Sequence, residues 1–500
     1  MPKDDQRLPS TAFRDAQDTS LGRSIGYLTI DKNGLSGAYL LKDGLDAFAA
    51  RLVLAEKAER SLDVQYYIWH NDTIGKLFAS AMLRAAERGV RVRVLLDDIN
   101  TGGLDHELAT FDSHPNIEIR ILNPFVLRRA RELELIFSFP RVNRRMHNKS
   151  FTADNQVTIV GGRNIGNEYY DFHKEVNFND LDILTIGPIV DDVSDAFDQY
   201  WNSEFALSVG SFIKKTPKVS LEQLKVSLAE HDVVMRTSEY AMAVRETEFL
   251  TRLGNKTLPF SWGKAKVIYD PPEKLHPDSK ISAMQVNTKA ESFINQINSE
   301  LVLVSPYFVP GTEGLAIFKK LIARGVRVRV LTNSLASTDV SIVYAGYMPY
   351  RIPLLKAGIE LYEAKPTNNI QSKQKKYKIG SSSLASLHTK LHVIDRKKIY
   401  VGSYNLDPRS ANINTELGMV FENEELARNI AQSMDKHIDS WAYKLEIIKD
   451  QGMEDDTDYA IEWVTEKEGK EQRYSVEPNT GFWRRLGAGL MSILPVEDLL

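Results

Sequence analysis

The sequence predicts an α/β protein made of two tandem, pseudo-symmetric units. Three observations carry this. Apolar strands alternate with amphipathic helices in both halves of the 500-residue chain, the pattern of a mixed or parallel sheet with helices on its faces. Arg88-Gly89-Val90-Arg91-Val92-Arg93-Val94-Leu95 recurs letter for letter at 324–331. A polar constellation repeats at a spacing of 241 residues (388 − 147): His147/His388, Lys149/Lys390, Asp154/Asp395, Gly161-Gly162/Gly402-Ser403, Asn164/Asn405 and Glu175/Glu416. Two such units in one chain indicate internal duplication. The strand copy lies at a spacing of 236 (324 − 88), so residues were gained or lost between it and the polar motif.

Taken in order, residues 1–40 are polar, with scattered Pro, Gly and Ser, and are expected to be loosely ordered. The first unit is expected over 41–207. Leu45, Phe48, Leu52 and Ala55 have helical spacing, and Leu62, Val64, Tyr66 and Ile68 alternate as in a strand. A helix follows over 73–88, with Ile74, Leu77, Phe78, Met82 and Ala85 on one side, and then the strand 90–96. The span 208–265 is more polar and reads as a linker or helical insertion, helical near 239–253. The second unit, 266–450, repeats the order with a strand at 301–304, a helix at 312–324 and a strand at 326–331. Within it, the Lys-, Ser- and Gln-rich stretch 365–387 reads as a mobile loop ending at His388. The remainder, 451–500, is a charged segment and then an apolar tail from Phe482 to Leu494.

Bulk properties narrow the function. A net charge of −4 argues against a dedicated nucleic-acid binder. Zero cysteines exclude disulfides, thiolate metal sites and cysteine nucleophiles. No apolar run is long enough to span a bilayer, and the polar start MPKDDQRLPSTAFRD is not expected to act as a signal peptide.

The polar repeat carries the chemistry. His147, Lys149 and Phe151 alternate as on one strand face, Ala153-Asp154-Asn155-Gln156 signals a turn, and Val157–Val160 returns. His388-Thr389-Lys390-Leu391-His392, Asp395-Arg396 and Ile399-Tyr400-Val401 repeat this hairpin. Gly162 and Ser403 allow close backbone approach to a ligand. Together the hairpins offer two imidazoles, two ammonium groups and two Asn amides, a set suited to an anionic phosphodiester. Lys149 and Lys390 hold the non-bridging oxygens, Asn164 and Asn405 donate further hydrogen bonds, and one histidine attacks while the other protonates the leaving oxygen. Lysines in this role make a metal unnecessary, and no cofactor is expected. Each histidine needs a partner to fix its tautomer. Glu175 and Glu416, each 28 residues beyond its own histidine, are the candidates; Asp154 and Asp395 are the alternative, although turn residues more naturally brace the hairpin. His392 is a lesser candidate on the His388 strand face.

At these residues the chain resembles the phospholipase D superfamily, whose signature is a duplicated H-x-K-x4-D followed by G-G/S-x-N. The match spans roughly 44–450. With Leu62–Trp69, Gly161–Gly166, Asp180-Leu181-Asp182 and the closing Ser492–Glu497 it is similar to bacterial cardiolipin synthases, in particular the C type. The resemblance implies two α/β/α sandwich units with the site at their interface. It also implies metal-independent transfer of a phosphatidyl group between phospholipids, such as phosphatidylglycerol and possibly phosphatidylethanolamine, through a phosphatidyl-histidine. It makes His147 the nucleophile and His388 the acid/base, a pair that pseudo-symmetry could reverse. The alternative is a phospholipase D or phosphodiesterase with water as acceptor. Peripheral attachment to the bacterial inner membrane is expected, with an accessory protein left open. Three stretches could meet lipid: the Arg- and Phe-rich 124–146, the apolar tail, and the lysine-rich loop.

Overall fold

A computed structural model of the chain describes residues 8–173, 175–213, 217–279, 281, 294–366, 384–449, 459–467 and 469–493. The first unit holds β1 (Ser36–Leu41), β2 (Ser61–Tyr66), β3 (Arg91–Asp97), β4 (Ile117–Leu122), β5 (Ser150–Ala153), β6 (Val157–Gly161), β7 (Val176–Asn179), β8 (Asp182–Ile186) and β9 (Ala206–Ser208). The second holds β10 (Ser261–Tyr269), β11 (Glu300–Val304), β12 (Arg327–Asn333), β13 (Glu360–Ala364), β14 (Leu384–Leu387), β15 (Leu391–Ile394), β16 (Lys398–Gly402), β17 (Leu417–Glu422) and β18 (Ala442–Lys449), followed by β19 (Tyr459–Lys467) and β20 (Lys470–Tyr474).

Followed by their ladders, the strands run β9-β4-β3-β2-β5-β6-β8-β1 and continue as β10-β17-β16-β15-β11-β12-β13-β18-β19-β20. The order reads the same outward from the β1–β10 junction, so each of the eight strands from β1 to β9 in this ladder has a counterpart from β10 to β18, and β19–β20 extend the second side. β2-β3-β4 and β11-β12-β13 are parallel; the hairpin strands beside them are antiparallel.

The helices complete the layers: α1 (Ser20–Thr29), α2 (Gly44–Lys57), α3 (Thr73–Glu87), α4 (Arg131–Phe137), α5 (Ile189–Asn202), α6 (Leu221–Arg236), α7 (Glu239–Arg245), α8 (Glu248–Gly254), α9 (Gly311–Ala323), α10 (Ser341–Tyr347), α11 (Glu424–Trp441) and α12 (Phe482–Ser492). α2 and α3 bury Phe48 and Phe78 against β2 and β3, while one apolar cluster joins α5 of the first unit to α11 and β15–β17 of the second. The units therefore share a core.

The repeated Arg-Val alternation now has a cause. Val92 and Val94 are buried on one face of β3. On the other, the 1% exposed Arg93 pairs with Asp63 at 2.7 Å and with Asp198 of α5 at 2.8 Å. In the copy, Arg329 pairs with Glu300 at 2.9 Å and with Asp435 of α11 at 2.7 Å. These ion pairs tie each sheet to its inner helix. Removing one partner strands a buried charge, at a cost of about 3–5 kcal/mol.

Several expected boundaries move. Residues 8–40 are ordered into α1 and β1: the Thr19 side chain caps α1, and β1 slots between β8 and β10, its small Gly37 and Ala38 fitting there. A six-residue strand flanked by polar sequence leaves little periodicity to read. The span 208–265 is no simple linker. α6, α7 and α8 cover α2 and α3, with Tyr240 edge-on to Phe48 at 5.4 Å. Its end is already β10, so the second sheet starts at 261 rather than 266. The charged 451–475 contains the β19–β20 hairpin, whose Arg473 is paired with Glu446 and Glu462 at 3.0 Å. Most of the expected mobile loop, 367–383, and the end of the closing motif lie outside the described residues.

Candidate active site

Each motif folds as the two-residue hairpin its sequence signals. Asp154 and Asn155 have φ of 51° and 52°, and Asp395 and Arg396 have 52° and 53°, the left-handed pair that a tight turn between twisted strands requires. The Asp carboxylates serve this architecture. Asp154 accepts from the amides of Glu59, Arg60 and Ser61 at 2.7–3.1 Å, and Asp395 accepts from those of Asn298, Ser299 and Glu300 at 2.7–3.1 Å. Both therefore clamp the turn to the start of the adjacent strand, the bracing role, and do not serve as the histidines' partners.

The histidines lie where the chain passes between units. Arg145 and His147 exchange backbone bonds with Thr415 of the second unit (2.9 and 2.8 Å), after which the chain joins its own sheet at Ser150. In the other half β14 pairs in parallel with β7 of the first unit, and the His388 amide donates to Asn179 O at 2.8 Å before β15 begins. Neighbouring strand ends hold both approaches. Asp97, at the end of β3, accepts from Met146 N at 2.8 Å, and Asn333, its counterpart on β12, accepts from Leu387 N at 3.1 Å.

This cross-pairing sets the acid partners. The residue after Thr415 is Glu416, whose Oε2 lies 2.9 Å from His147 Nδ1. The residue after Asn179 is Asp180, whose Oδ2 lies 2.6 Å from His388 Nδ1. Each imidazole is thus oriented by a carboxylate from the opposite unit. Sequence spacing assigned Glu416 to His388 and Glu175 to His147; both assignments are corrected. Glu175 is exposed, and its amide donates to His173 Nδ1 at 3.2 Å. The true counterpart of Glu416 is Asp180, at the spacing 236 (416 − 180) found for the β3/β12 copies. Five more residues separate Asn164 from Asp180 (16 residues) than separate Asn405 from Glu416 (11 residues), so a fixed offset of 241 picked a coincidental glutamate.

Gly162 and Ser403 fit these acids. A Cβ on Gly162 would stand 2.3 Å from Asp180 Oδ1, so only glycine leaves room for the carboxylate. Ser403 instead donates its hydroxyl to Glu416 Oε2, and its carbonyl lies 3.1 Å from His147 Nδ1. A carbonyl can only accept. The proton of His147 therefore sits on Nδ1, and Nε2 carries the lone pair.

Lys149 and Lys390 are buried, and each donates Nζ to the carbonyl of the histidine two residues before it at 2.6 Å. Lys390 Nζ also stands 3.1 and 3.3 Å from the ring nitrogens of His388. Asn164 is occupied within the fold, accepting from Ile68 N at 3.2 Å and donating to Tyr169 Oη at 2.9 Å. Asn405 keeps a buried Oδ1 without a hydrogen-bond partner among the described residues. Tyr67 lies edge-on to His147 at 4.9 Å, and Phe178 and Tyr169 lie 5.0 and 5.4 Å from His388. His392 packs on Tyr400, its pKa pushed down by burial to about 4.

Burial drives the electrostatics. His147 falls well below the ordinary imidazole value through burial and the nearby Lys149, Lys390 and His388. Burial and Lys390 also lower His388, against the opposing pull of Asp180. Both lysines are lowered, chiefly by burial and in the case of Lys149 also by Lys390. The acids diverge. Burial pushes Glu416 up to about 7; for Asp180, burial is outweighed by His388, Lys390 and Arg163, and the carboxyl stays below its ordinary range. Four buried basic groups facing two acids make a site that an anionic diester would complete.

Comparison with known proteins bears on the family. The family model described as cardiolipin synthase, PLD-like domain, matches residues 52–201 and 291–438. Cardiolipin synthase C of Escherichia coli (strain K12) is 42% identical over 467 residues, 93% of this chain and 97% of that protein. Cardiolipin synthase A of Pseudomonas putida is 25% identical over 79% of this chain and 67% of its own. Among solved structures, phosphatidylserine synthase of Haemophilus influenzae Rd KW20 shares the fold, with a TM-score of 0.55 at 13% identity over 84% of this chain and 91% of that one. With both units matched and this identity over nearly the whole length, the chain belongs to the cardiolipin synthase family of phospholipase D-like proteins.

Proposed function

We propose that this protein is a cardiolipin synthase-type phosphatidyltransferase that moves a phosphatidyl group from one phospholipid to phosphatidylglycerol or a similar acceptor. The observation that carries the reading is the pair of buried histidines, each oriented by a carboxylate of the opposite unit beside a buried lysine.

The two histidines divide the work. His147 is neutral with Nε2 unprotonated, so its lone pair attacks phosphorus. The P–N bond forms as the P–O bond to the donor's alcohol breaks, and that oxygen takes the proton from Nε2 of His388, whose imidazolium forms once the charge of the bound diester offsets that of Lys390. Asp180, held ionised, stabilises that cation. Neutral His388 then takes the hydroxyl proton of the incoming alcohol, whose oxygen attacks phosphorus and releases His147. Lys149 and Lys390 neutralise the non-bridging oxygens through both steps, and the diester's charge raises their lowered pKa values. Fixed ammonium groups supply the charge that a metal supplies elsewhere. Asn405 Oδ1, buried without a partner among the described residues, can accept from a bound hydroxyl.

The enzyme acts peripherally at the membrane that holds its substrates. Among the described residues no helix is long and apolar enough to cross a membrane. Vesicles of labelled phosphatidylglycerol test the reading: cardiolipin and free glycerol are the expected products. Phosphatidic acid as the only product would replace transfer with hydrolysis.

A further inference from the structure

Two apolar surfaces stand beside the site, one on each unit. On α4, Ile136 and Phe137 are 70% and 81% exposed. On α12, Phe482, Trp483, Leu490 and Ile493 are 61–81% exposed and form one stripe along the helix. The small Ala488 seats α12 on the body, and Arg484 donates to Thr338 O at 3.0 Å. Apolar side chains this large, this exposed and this aligned mark an interaction surface.

Their anchors tie them to segments that lead toward the two histidines. Arg131 of α4 donates to Asp98 O at 2.8 Å, next to Asp97, which holds the chain entering His147. Thr338, which holds α12, precedes Asp339; that carboxylate accepts from Tyr307 Oη at 2.8 Å, and the Tyr307 ring is edge-on to His388 at 6.4 Å. Both helices thus ride on segments just beyond the equivalent strands β3 and β12.

Four arginines of the 124–146 stretch are drawn into ion pairs with acids of the body, while Arg129 and Glu132 stay exposed. Arg128 pairs with Asp98 and Asp105, Arg131 with Asp98, Arg141 with Glu134 and Arg145 with Asp97. What remains outside is mainly apolar. We infer that α4 and α12 are two lips that insert into the face of a phospholipid bilayer, held there by apolar burial more than by charge. A bilayer fits because it is the one apolar surface that also presents a lipid diester between the lips; this step rests on the lipid-transferase reading. α12, at 11 residues, is too short to span and suits an interfacial helix.

The test uses the full chain with phosphatidylcholine vesicles, with and without phosphatidylglycerol, scoring sedimentation and quenching of tryptophan by brominated lipid. The double variants Ile136→Ser/Phe137→Ser and Trp483→Ser/Leu490→Ser are each expected to weaken binding roughly tenfold or more. Raising salt to about 0.5 M should change wild-type binding only a few-fold. Turnover of a short-chain, water-soluble diester should be unchanged in both variants, while turnover in vesicles falls with binding. Wild-type binding by both variants would overturn the inference. So would loss of turnover on the soluble diester, or conversion of a wild-type oligomer to monomer with vesicle binding intact. Binding is scored without turnover, so a protein that binds through these lips but makes no cardiolipin would fail the transferase reading and leave this one standing.

Discussion

The half-site of His147 and that of His388 share one plan but differ in their acids. Each histidine enters beside a strand of the other unit and meets the acid that follows its backbone partner. One acid is Glu416, pushed up to about 7 and shared with the Ser403 hydroxyl. The other is Asp180, held ionised and seated over Gly162. A carboxyl that is half protonated near neutrality orients its imidazole but supports an imidazolium weakly. An ionised carboxylate supports one strongly. The duplication supplied a symmetric frame, and the two acids make its halves chemically unequal.

The largest expected effects break the pair itself. His147→Ala and His388→Ala should each lower turnover of phospholipid by about 10⁴-fold or more. A diester with a nitrophenol leaving group separates the roles, because that leaving group needs no proton. On it, His388→Ala should still accumulate a covalent phosphoryl-protein detectable by mass spectrometry, and His147→Ala should not. Adduct on His388 in the His147 variant would reverse the roles. Chelation of divalent ions should leave the wild-type rate unchanged; a collapse would require a metal in the site.

The lysines come next. Lys149→Met and Lys390→Met should each cost about 10²–10³-fold in kcat, the usual weight of one group stabilising transition-state charge. Because burial holds both lysines below their ordinary values, whatever fraction is neutral in the free protein should take up protons from the buffer when an anionic diester binds. Calorimetry in buffers of different ionisation enthalpy reads this uptake, and each Met variant should reduce it.

The acids sharpen the comparison through opposite pH signs. Asp180 has a lowered pKa in the folded protein. Its contribution to stability is present above the ordinary carboxyl range and is lost as pH falls through the folded value. Glu416 is raised to about 7, so its contribution is present below the ordinary carboxyl range and is lost as pH rises through that value. At pH 8, urea unfolding should find Asp180→Asn less stable than wild type and Glu416→Gln equal or more stable. Activity should follow the same asymmetry: about 10²–10³-fold lost for Asp180→Asn and about tenfold for Glu416→Gln. Equal losses would mean that both acids support an imidazolium.

Much of this frame was legible in the sequence. The His-x-Lys hairpins, their Asp-led turns and the duplicated strands follow from spacing and turn chemistry that act within a few residues. The acid partners were not legible by counting. Insertions in the loops shift the offset between units, and the partner of each histidine comes from the other unit, a relation that local spacing does not encode. Strand register supplies it: Gly161 pairs with Asp182 and Gly402 with Gly418, which aligns Asp180 with Glu416. The direction of the arginines at 128–145 was not legible for a related reason. Composition shows charge beside apolar residues but not that Asp97, Asp98, Asp105 and Glu134 wait inside to meet it.

The smallest effects concern the turn aspartates and test whether they belong to the chemistry at all. Asp154 is 0% exposed, and of its three amide partners Ser61 opens the buried β2 while Glu59 and Arg60 lie just ahead of it. Asp395 is half-buried and faces the exposed Asn298 and Ser299. Replacement by Ala strains both turns alike, since both positions have positive φ, so that cost cancels between the variants. The amides differ: water can reach those beside Asp395 but not all of those beside Asp154. Asp154→Ala should therefore lose about 2–4 kcal/mol of stability beyond any shared strain, and Asp395→Ala about 1 kcal/mol. Asn, which tolerates the conformation and keeps one acceptor, should recover part of each loss. Below the unfolding transition, kcat per folded molecule should stay within about twofold of wild type in all four variants. A folded Asp395→Ala protein with a large fall in kcat would move that carboxylate from bracing into the reaction, because its loss would then act on the chemistry without first loosening the fold.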